Sequence, residues 1–254
     1  MKFGRESGIL LHPTSLPSRF GIGELGSEAY GFADFLARSR QKLWQILPLG
    51  PIGYGESPYQ CFSAFAGNTM LISIERLIED KLLLQEDIEP LPDFDEGLVE
   101  FEKVRAFKSN LFRKAFKRFE AAGAGEDYDR FLRENDYWLN EFSFFMALKE
   151  YFGGAAWNLW DKEIAFRDSK AMIYYRDKLS REIEYQSFLQ YVFFSQWRLL
   201  KEYVNKHGIR IIGDLPLFIS YDSSDAWSQR YLFQLDEGGN PLKTAGVPPD
   251  YFSE

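Results

Sequence analysis

Leu43-Trp44-Gln45-Ile46-Leu47-Pro48-Leu49, followed by Gly53-Tyr54-Gly55-Glu56-Ser57-Pro58-Tyr59-Gln60, is the most telling stretch of this chain. The first segment is apolar, of strand length and bounded by glycine and proline, the pattern of a buried strand. Proline withdraws a backbone donor and glycine tolerates sharp turns, so the strand stops and the chain bends. The turn carries two tyrosines, a serine and a glutamate. Those are flat faces and hydrogen-bonding groups, which is what a sugar ring needs: an apolar face to stack on and polar atoms aimed at its hydroxyls. The same octapeptide reads equally well as an ordinary strand-to-helix loop with exposed tyrosines.

Upstream, Gly8-Ile9-Leu10-Leu11 is a short strand candidate, ended by His12-Pro13-Thr14-Ser15-Leu16-Pro17-Ser18, where prolines forbid further pairing. His12 reads first as a strand-end packing residue. After the glycine-rich loop Gly21-Ile22-Gly23-Glu24-Leu25-Gly26, Ser27 has the character of a helix N-cap, with Glu28 in the positive first turn. Ala29, Phe32, Phe35 and Leu36 give that helix an apolar face. Strand, loop, helix, strand is one βαβ unit, which calls for parallel strands.

Downstream the pattern changes. From about Ile74 to Lys206, charged and aromatic residues alternate at helical spacing, with breaks at Glu89-Pro90-Leu91-Pro92, Gly123-Ala124-Gly125 and Gly153-Gly154. About four to six helices are expected, far more than one crossover needs. The segment reads as a helical subdomain inserted between two strands. Its last helix carries the stripe Leu189, Phe193, Trp197, Leu200 and Val204, with Lys201 and Lys206 near the negative end and Gly208 to stop it. The parallel pattern resumes with Ile209-Arg210-Ile211-Ile212-Gly213-Asp214-Leu215-Pro216. Asp214 falls at the C-terminal end of that strand, where α/β enzymes keep their chemistry, and position alone allows a loop-capping role equally. Ser224 to Trp227 reads as a short turn or helix, Tyr231-Leu232-Phe233-Gln234-Leu235 as a strand, and Asp236-Glu237-Gly238-Gly239-Asn240 as its turn.

Composition narrows the function. The net charge is −8 and no basic stripe gathers anywhere, which argues against nucleic acid and anionic membranes. No apolar run approaches a membrane span. The aromatic load of 24 Phe, 14 Tyr and 6 Trp is mostly core and also suits a carbohydrate binder. The lone Cys61 admits no internal disulfide and, with no signal peptide at the N-terminus, points to the cytoplasm. Cys61 reads as a buried small residue, and His12 and His207 have no partner at metal-ligand spacing.

Five elements stand in a specific order: Gly8-Ile9-Leu10-Leu11-His12-Pro13-Thr14-Ser15-Leu16-Pro17, Trp44-Gln45-Ile46-Leu47-Pro48-Leu49-Gly50-Pro51, Ser57-Pro58-Tyr59, Gly213-Asp214-Leu215-Pro216 and Gly246-Val247-Pro248-Pro249-Asp250-Tyr251-Phe252. In this order the chain resembles the amylomaltases, the 4-α-glucanotransferases also called disproportionating enzymes. The resemblance covers the chain except its helical middle. It implies a (β/α)₈ TIM barrel with large helical insertions, glucan bound at the strands' C-terminal ends, and no metal or organic cofactor. The implied reaction is retaining: an aspartate attacks the anomeric carbon, a glutamate protonates the leaving oxygen, and a sugar 4-hydroxyl intercepts the glycosyl-enzyme.

The resemblance implies roles for particular residues. Ser57 and Tyr59 match positions lining the donor subsites, and Tyr54 matches a second, remote glucan contact. Asp214 matches a supporting aspartate beside the donor ring, distinct from the nucleophile. Gly246 to Phe252 match a lid, in which Gly246 and Pro248 shape the loop while Tyr251 and Phe252 cover acceptor sugars and keep water out. The family's nucleophile lies in an Arg-Ile-Asp-His-type motif that this sequence does not contain, so no catalytic residue is assigned here. The expected fold is α/β, the N-terminal part of a barrel left incomplete in this chain. Residues 1–73 form the first β/α units with the substrate loop, 74–206 the helical insertion and return helix, and 207–254 the third strand and lid region. A half-barrel leaves strand edges unpaired, so the expected partner is the C-terminal half of the same protein, with an α-1,4-glucan or maltooligosaccharide as substrate. The isolated chain is expected to be inactive. An α-amylase-like hydrolase is the rival enzyme, disfavoured because Phe218 stands where such enzymes carry a histidine four residues after the aspartate. A non-catalytic maltodextrin-binding or assembly protein is the rival from another class.

Overall fold

Three short strands, β1 (Gly8–Leu10), β2 (Leu43–Gln45) and β3 (Arg210–Ile212), form one parallel sheet in that order. The structure is a computed structural model that describes residues 4–216 and 218–243, with Tyr54 described in its backbone alone. Ile9 pairs with Trp44 and Trp44 with Ile211. Ladder bonds continue one residue past each strand, from Leu11 N to Gln45 O at 3.0 Å and from Ile46 N to Ile212 O at 2.9 Å. β2 is therefore shorter than the apolar run Leu43 to Leu49, because Pro48 has no N–H to donate. Gly8 is required where β1 meets β2: a Cβ there would lie 2.4 Å from the Leu43 carbonyl oxygen.

The first crossover is α1 (Ser27–Arg38), whose N-cap is Gly26, one residue before the expected Ser27. Ser27 Oγ is engaged elsewhere, within 3.0 Å of a Glu28 oxygen and 2.8 Å of a Glu75 oxygen. Ala29, Ala33 and Leu36 form the buried face, and Phe32 packs partly buried beside them. Phe35, expected on that face, is half exposed and stacks on Phe32 at 5.9 Å. At 100° per residue it falls off the Ala29–Ala33–Leu36 stripe.

Between residues 74 and 206 lie six α-helices among the described residues: α2 (Ile74–Glu79), α3 (Phe101–Ala122), α4 (Glu126–Tyr151), α5 (Lys162–Ala165), α6 (Ser169–Lys178) and α7 (Ser180–Lys206). The breaks after α3 and α4 fall at glycines: Gly123, Gly153 and Gly154 all have positive φ, at 81°, 63° and 83°. Asp168 caps α6 by accepting from Lys170 N and Ala171 N. α8 (Ser224–Ser228) follows β3, capped by Ser223.

The largest core runs across strands and helices alike. Leu25, Ala33 and Trp44 share it with Leu111 and Phe116 of α3 and Phe188, Leu200 and Val204 of α7. Two glutamines of α7 act as substitute strand partners for the segment after the tyrosine loop. Buried Gln190 accepts from Gly67 N at 2.8 Å and donates to Gly67 O at 3.1 Å. Gln196 does the same to Ser73, at 2.7 and 3.3 Å. Gly67 must be glycine there, since a Cβ would lie 2.0 Å from the Phe193 ring. From α3, Lys108 reaches the same segment, with Nζ 2.6 Å from Glu24, 2.6 Å from Met70 O and 2.9 Å from Ile72 O. Three acceptors match the three donors of an ammonium group, as a fully buried charge requires.

One expected strand does not form. Arg230–Leu232 is a 3₁₀ turn with Tyr231 and Leu232 exposed, and only Leu235 makes a bridge, to Pro241. Alternation in Tyr231 to Leu235 has no neighbouring strand to satisfy among the described residues, so the local turn prevails. The turn Asp236 to Asn240 is present, closed by Asp236 N to Asn240 O at 2.9 Å with Gly239 at φ 79°.

Candidate functional site

The loop after β2 is built as a closed excursion. Ile52 bridges Cys61 antiparallel, Gly53 N donates to Gln60 O at 2.8 Å, and Phe62 N to Pro51 O at 2.9 Å. The tip turns through two consecutive left-handed residues, Gly55 at φ 72° and Glu56 at φ 56°. Glycine takes that conformation freely, whereas glutamate does so only against a steric penalty. Just beyond, Ser57 Oγ accepts from Tyr59 N at 3.3 Å and sets the direction of the tyrosine.

Tyr59 then meets Asp214 across the end of the sheet. The phenol donates to Asp214 Oδ2 at 2.6 Å, joining positions 155 residues apart in sequence. Asp214 Oδ1 accepts from Leu215 N at 2.8 Å, so the carboxylate plane is held from both sides. The hydrogen bond to Asp214 raises the Tyr59 phenol above its ordinary value, with partial desolvation and the neighbouring negative charge acting in the same direction. The phenol therefore stays protonated and donating. Two carboxylate oxygens, a hydroxyl and a half-exposed aromatic face now stand together at the C-terminal ends of β2 and β3. Such a set can orient a neutral polyol, or stabilise positive charge beside it.

Beside Asp214 lies a cleft of about 150 Å³, with Pro48, Phe65, Trp197, Leu215 and Pro216 in its walls. A larger one of about 610 Å³ separates the back of the tyrosine loop from α3, α4 and α7. The segment Cys61 to Gly67 is fixed from the far side. Ala64 N donates to Asp225 at 3.0 Å, and Ser224 N to Phe62 O at 2.8 Å. Burial pushes the Asp225 carboxyl up, against the hydrogen bonds it accepts. Among the described residues, no cluster of three or more His, Cys, Asp or Glu could hold a metal ion, and no helix is long and apolar enough to cross a membrane.

Of the residues singled out in the sequence, the structure brings Ser57, Tyr59 and Asp214 together. Tyr54 lies in the same loop, in the turn Tyr54–Glu56. Gly246, Pro248, Tyr251 and Phe252 lie outside the described residues. His12 is buried, with its Nδ1 lacking a partner, and desolvation pushes its pKa down to about 4. The sequence did not single out Asp225, Gln190 or Arg105, each of which holds the tyrosine loop or its continuation. An Asp after a serine pair, a helical Gln and a helical Arg carry no local signal; only the tertiary fold reveals them.

A family model described as 4-alpha-glucanotransferase matches residues 11–254. A 4-alpha-glucanotransferase of Synechocystis sp. is 46% identical over 98% of this chain and 50% of its own length. The Thermus thermophilus enzyme of the same name is 44% identical over 100% of this chain and 51% of its own. The chain thus spans about half the length of the curated relatives it matches. Among solved structures, amylomaltase from Streptococcus agalactiae in complex with acarbose superposes with a TM-score of 0.93 at 43% identity, over 99% of this chain and 51% of that one. Amylomaltase from Corynebacterium glutamicum, 18% identical with a TM-score of 0.66 over 89% of this chain and 32% of that one, shares the fold. With the family model running from Leu11, just past β1, to the last residue, and with these relatives aligned along nearly the whole chain, the chain belongs to the 4-alpha-glucanotransferase family.

Proposed function

We propose that this chain supplies the donor side of the active site of a 4-α-glucanotransferase, which transfers α-1,4-glucan segments between maltodextrins with retention. The observation that carries the reading is the 2.6 Å bond from Tyr59 to Asp214, which unites two separate motifs at adjoining strand ends. The acarbose complex of the similar amylomaltase supports a glucan-like ligand. In this reading β1 to β3 are the first strands of a (β/α)₈ barrel, 1–73 and 207–254 contribute its strand-end loops, and 74–206 is an inserted helical subdomain. Tyr59 stacks on or bonds the donor sugar, Ser57 orients it, and Tyr54 makes a more remote glucan contact. Asp214 stabilises positive charge developing on the ring. Gly246, Pro248, Tyr251 and Phe252 form a lid that favours transfer over hydrolysis.

The nucleophile and proton donor are held about 5–5.5 Å apart in retaining enzymes. We place both in sequence beyond this chain, in the remainder of the same protein, and place that protein in the cytoplasm. Incubating the protein encoded by the complete reading frame with maltotriose tests the proposal. Release of glucose together with a ladder of longer glucans is the expected result. Maltodextrin binding without any new products would favour a binding or assembly protein instead, and reducing ends without longer products would favour a hydrolase.

A further inference from the structure

The tip of the tyrosine loop is held in an unfavourable conformation by a residue from the helical region. Glu56 sits at φ 56°, immediately after Gly55 at φ 72°. Few hydrogen bonds within the loop favour it: Glu56 N reaches Gly53 O only at 3.4 Å. The restraint comes from outside. Arg105 of α3 extends across the mouth of the 610 Å³ cleft and places Nη2 2.8 Å from Glu56 Oε1 and 3.0 Å from Oε2. Its Nη1 is held at 2.9 Å by Glu102, one helical turn back, so the guanidinium is itself aimed. Both carboxylate oxygens of Glu56 are thereby engaged, and its side chain is only about a quarter exposed.

We propose that Arg105 is a positioning residue: by clamping Glu56 in the left-handed region it fixes the loop tip, and with it the reach of Tyr59 toward Asp214. The path is short. Glu56 leads to Ser57, whose Oγ takes the Tyr59 amide, and Tyr59 carries the phenol to Asp214. Nη2 alone spans both oxygens in a charge-assisted contact, which holds the Glu56 carboxylate against the guanidinium. A free loop would relax Glu56 to negative φ, the ordinary region for a side-chain-bearing residue, and swing the residues that follow. Among the described residues the hydrogen bonds and ion pairs of Arg105 go to Glu56 and Glu102 and not to Tyr59 or Asp214, so its proposed effect on the site runs through the loop. The kinetic part of this inference rests on the glucanotransferase reading, whereas the structural part does not.

The test uses Arg105→Ala, Arg105→Lys, Tyr59→Ala and the double variant Arg105→Ala/Tyr59→Ala in the complete protein. Arg105→Ala is expected to raise KM for maltotriose roughly three- to tenfold with kcat nearly unchanged, and Arg105→Lys to recover part of the loss. In the Tyr59→Ala background, removing Arg105 should have no further effect on kcat/KM, because the residue it positions is gone. Equal effects in both backgrounds, or an unchanged KM in Arg105→Ala, would overturn the proposal. Amide exchange supplies a readout independent of activity: in Arg105→Ala the Gly53 and Tyr59 amides should exchange faster while those within α3 stay protected. Faster exchange in a protein that shows no transfer would sink the functional reading and uphold the clamp. Unchanged exchange in an active protein would refute the clamp and leave the functional reading intact.

Discussion

Asp214 takes one hydrogen bond from its own chain neighbour and one from Tyr59, and the second bond supports the proposed supporting role over the loop cap that the strand-end position left equal. A pure loop cap would be satisfied by Leu215 N alone. The second bond comes from a loop following a different strand, which a capping role does not require. We predict that Asp214→Asn in the complete protein slows transfer by about tenfold or more with little change in Tm, because the amide keeps shape but loses charge. An unchanged turnover would return Asp214 to the capping role. His12 gives a pH signature of its own. Its folded pKa of about 4 lies below the ordinary value of 6.5, so between those limits the unfolded chain binds more protons. Stability is then full above about pH 6.5 and falls as the pH drops toward 4, by a total on the order of 3 kcal/mol. Denaturant midpoints measured across that window should show this slope, and His12→Gln should flatten it. The burial expected of His12 was legible from its place between a strand and two prolines; its unpartnered ring nitrogen was not, since nothing local records what surrounds it.

Among the elements, α3 and α7 matter most, because they hold the segment running from the tyrosine loop into α2. The apolar stripe of α7 was plain in the sequence, and four of its five residues, Leu189, Phe193, Leu200 and Val204, are buried, with Trp197 partly so. Gln190 and Gln196 lie among those residues and read as an ordinary polar component of a helix. Their partners are 123 residues away in each case, a distance no periodicity conveys. Lys108 was hidden for the same reason: on α3 it occupies the buried face with Val104, Leu111 and Phe112, where the helical pattern calls for an apolar residue. Burial drives the Glu24 carboxyl up and the Lys108 ammonium down, and each charge is tolerated because the other is present. Lys108→Met should therefore destabilise by about 3–5 kcal/mol, leaving Glu24 buried without its counter-charge. Adding Glu24→Gln should restore part of that loss, and urea midpoints of the two variants measure the difference. Equal stability of Lys108→Met and the parent would show that the pair is dispensable.

On the scale of the whole molecule, the α/β class and the parallel order follow from two strand–loop signals and one crossover helix, and the structure has both. The short strand expected at Tyr231 failed because alternation alone does not supply a partner. Gly246 to Phe252, the positions proposed as a lid, lie outside the described residues. This chain reaches half the length of its relatives and contains no Arg-Ile-Asp-His motif, and on the proposed reading it supplies sugar-facing groups while the reacting carboxylates lie elsewhere in the protein. We predict that these 254 residues, purified alone, will not disproportionate maltotriose. Chromatography of the products is sufficient, and appreciable glucose with matching longer glucans would refute the placement of the chemistry elsewhere.

The register of the sheet also implies an order of assembly. Leu43 finds Gly8 across 35 positions of chain, but finds Arg210 across 167. Closing the longer span costs about 1.4 kcal/mol more in chain entropy, and that must be spent before any contact of β3 returns it. β1, α1 and β2 can meet early; β3 arrives after α7, the helix that leads directly into it, has docked. Ile211→Ala should accordingly hasten unfolding and leave the refolding limb of the chevron almost unmoved, with φ near zero, while Ala33→Gly in α1 slows refolding. A φ near one at Ile211 would mean that the long crossover closes first.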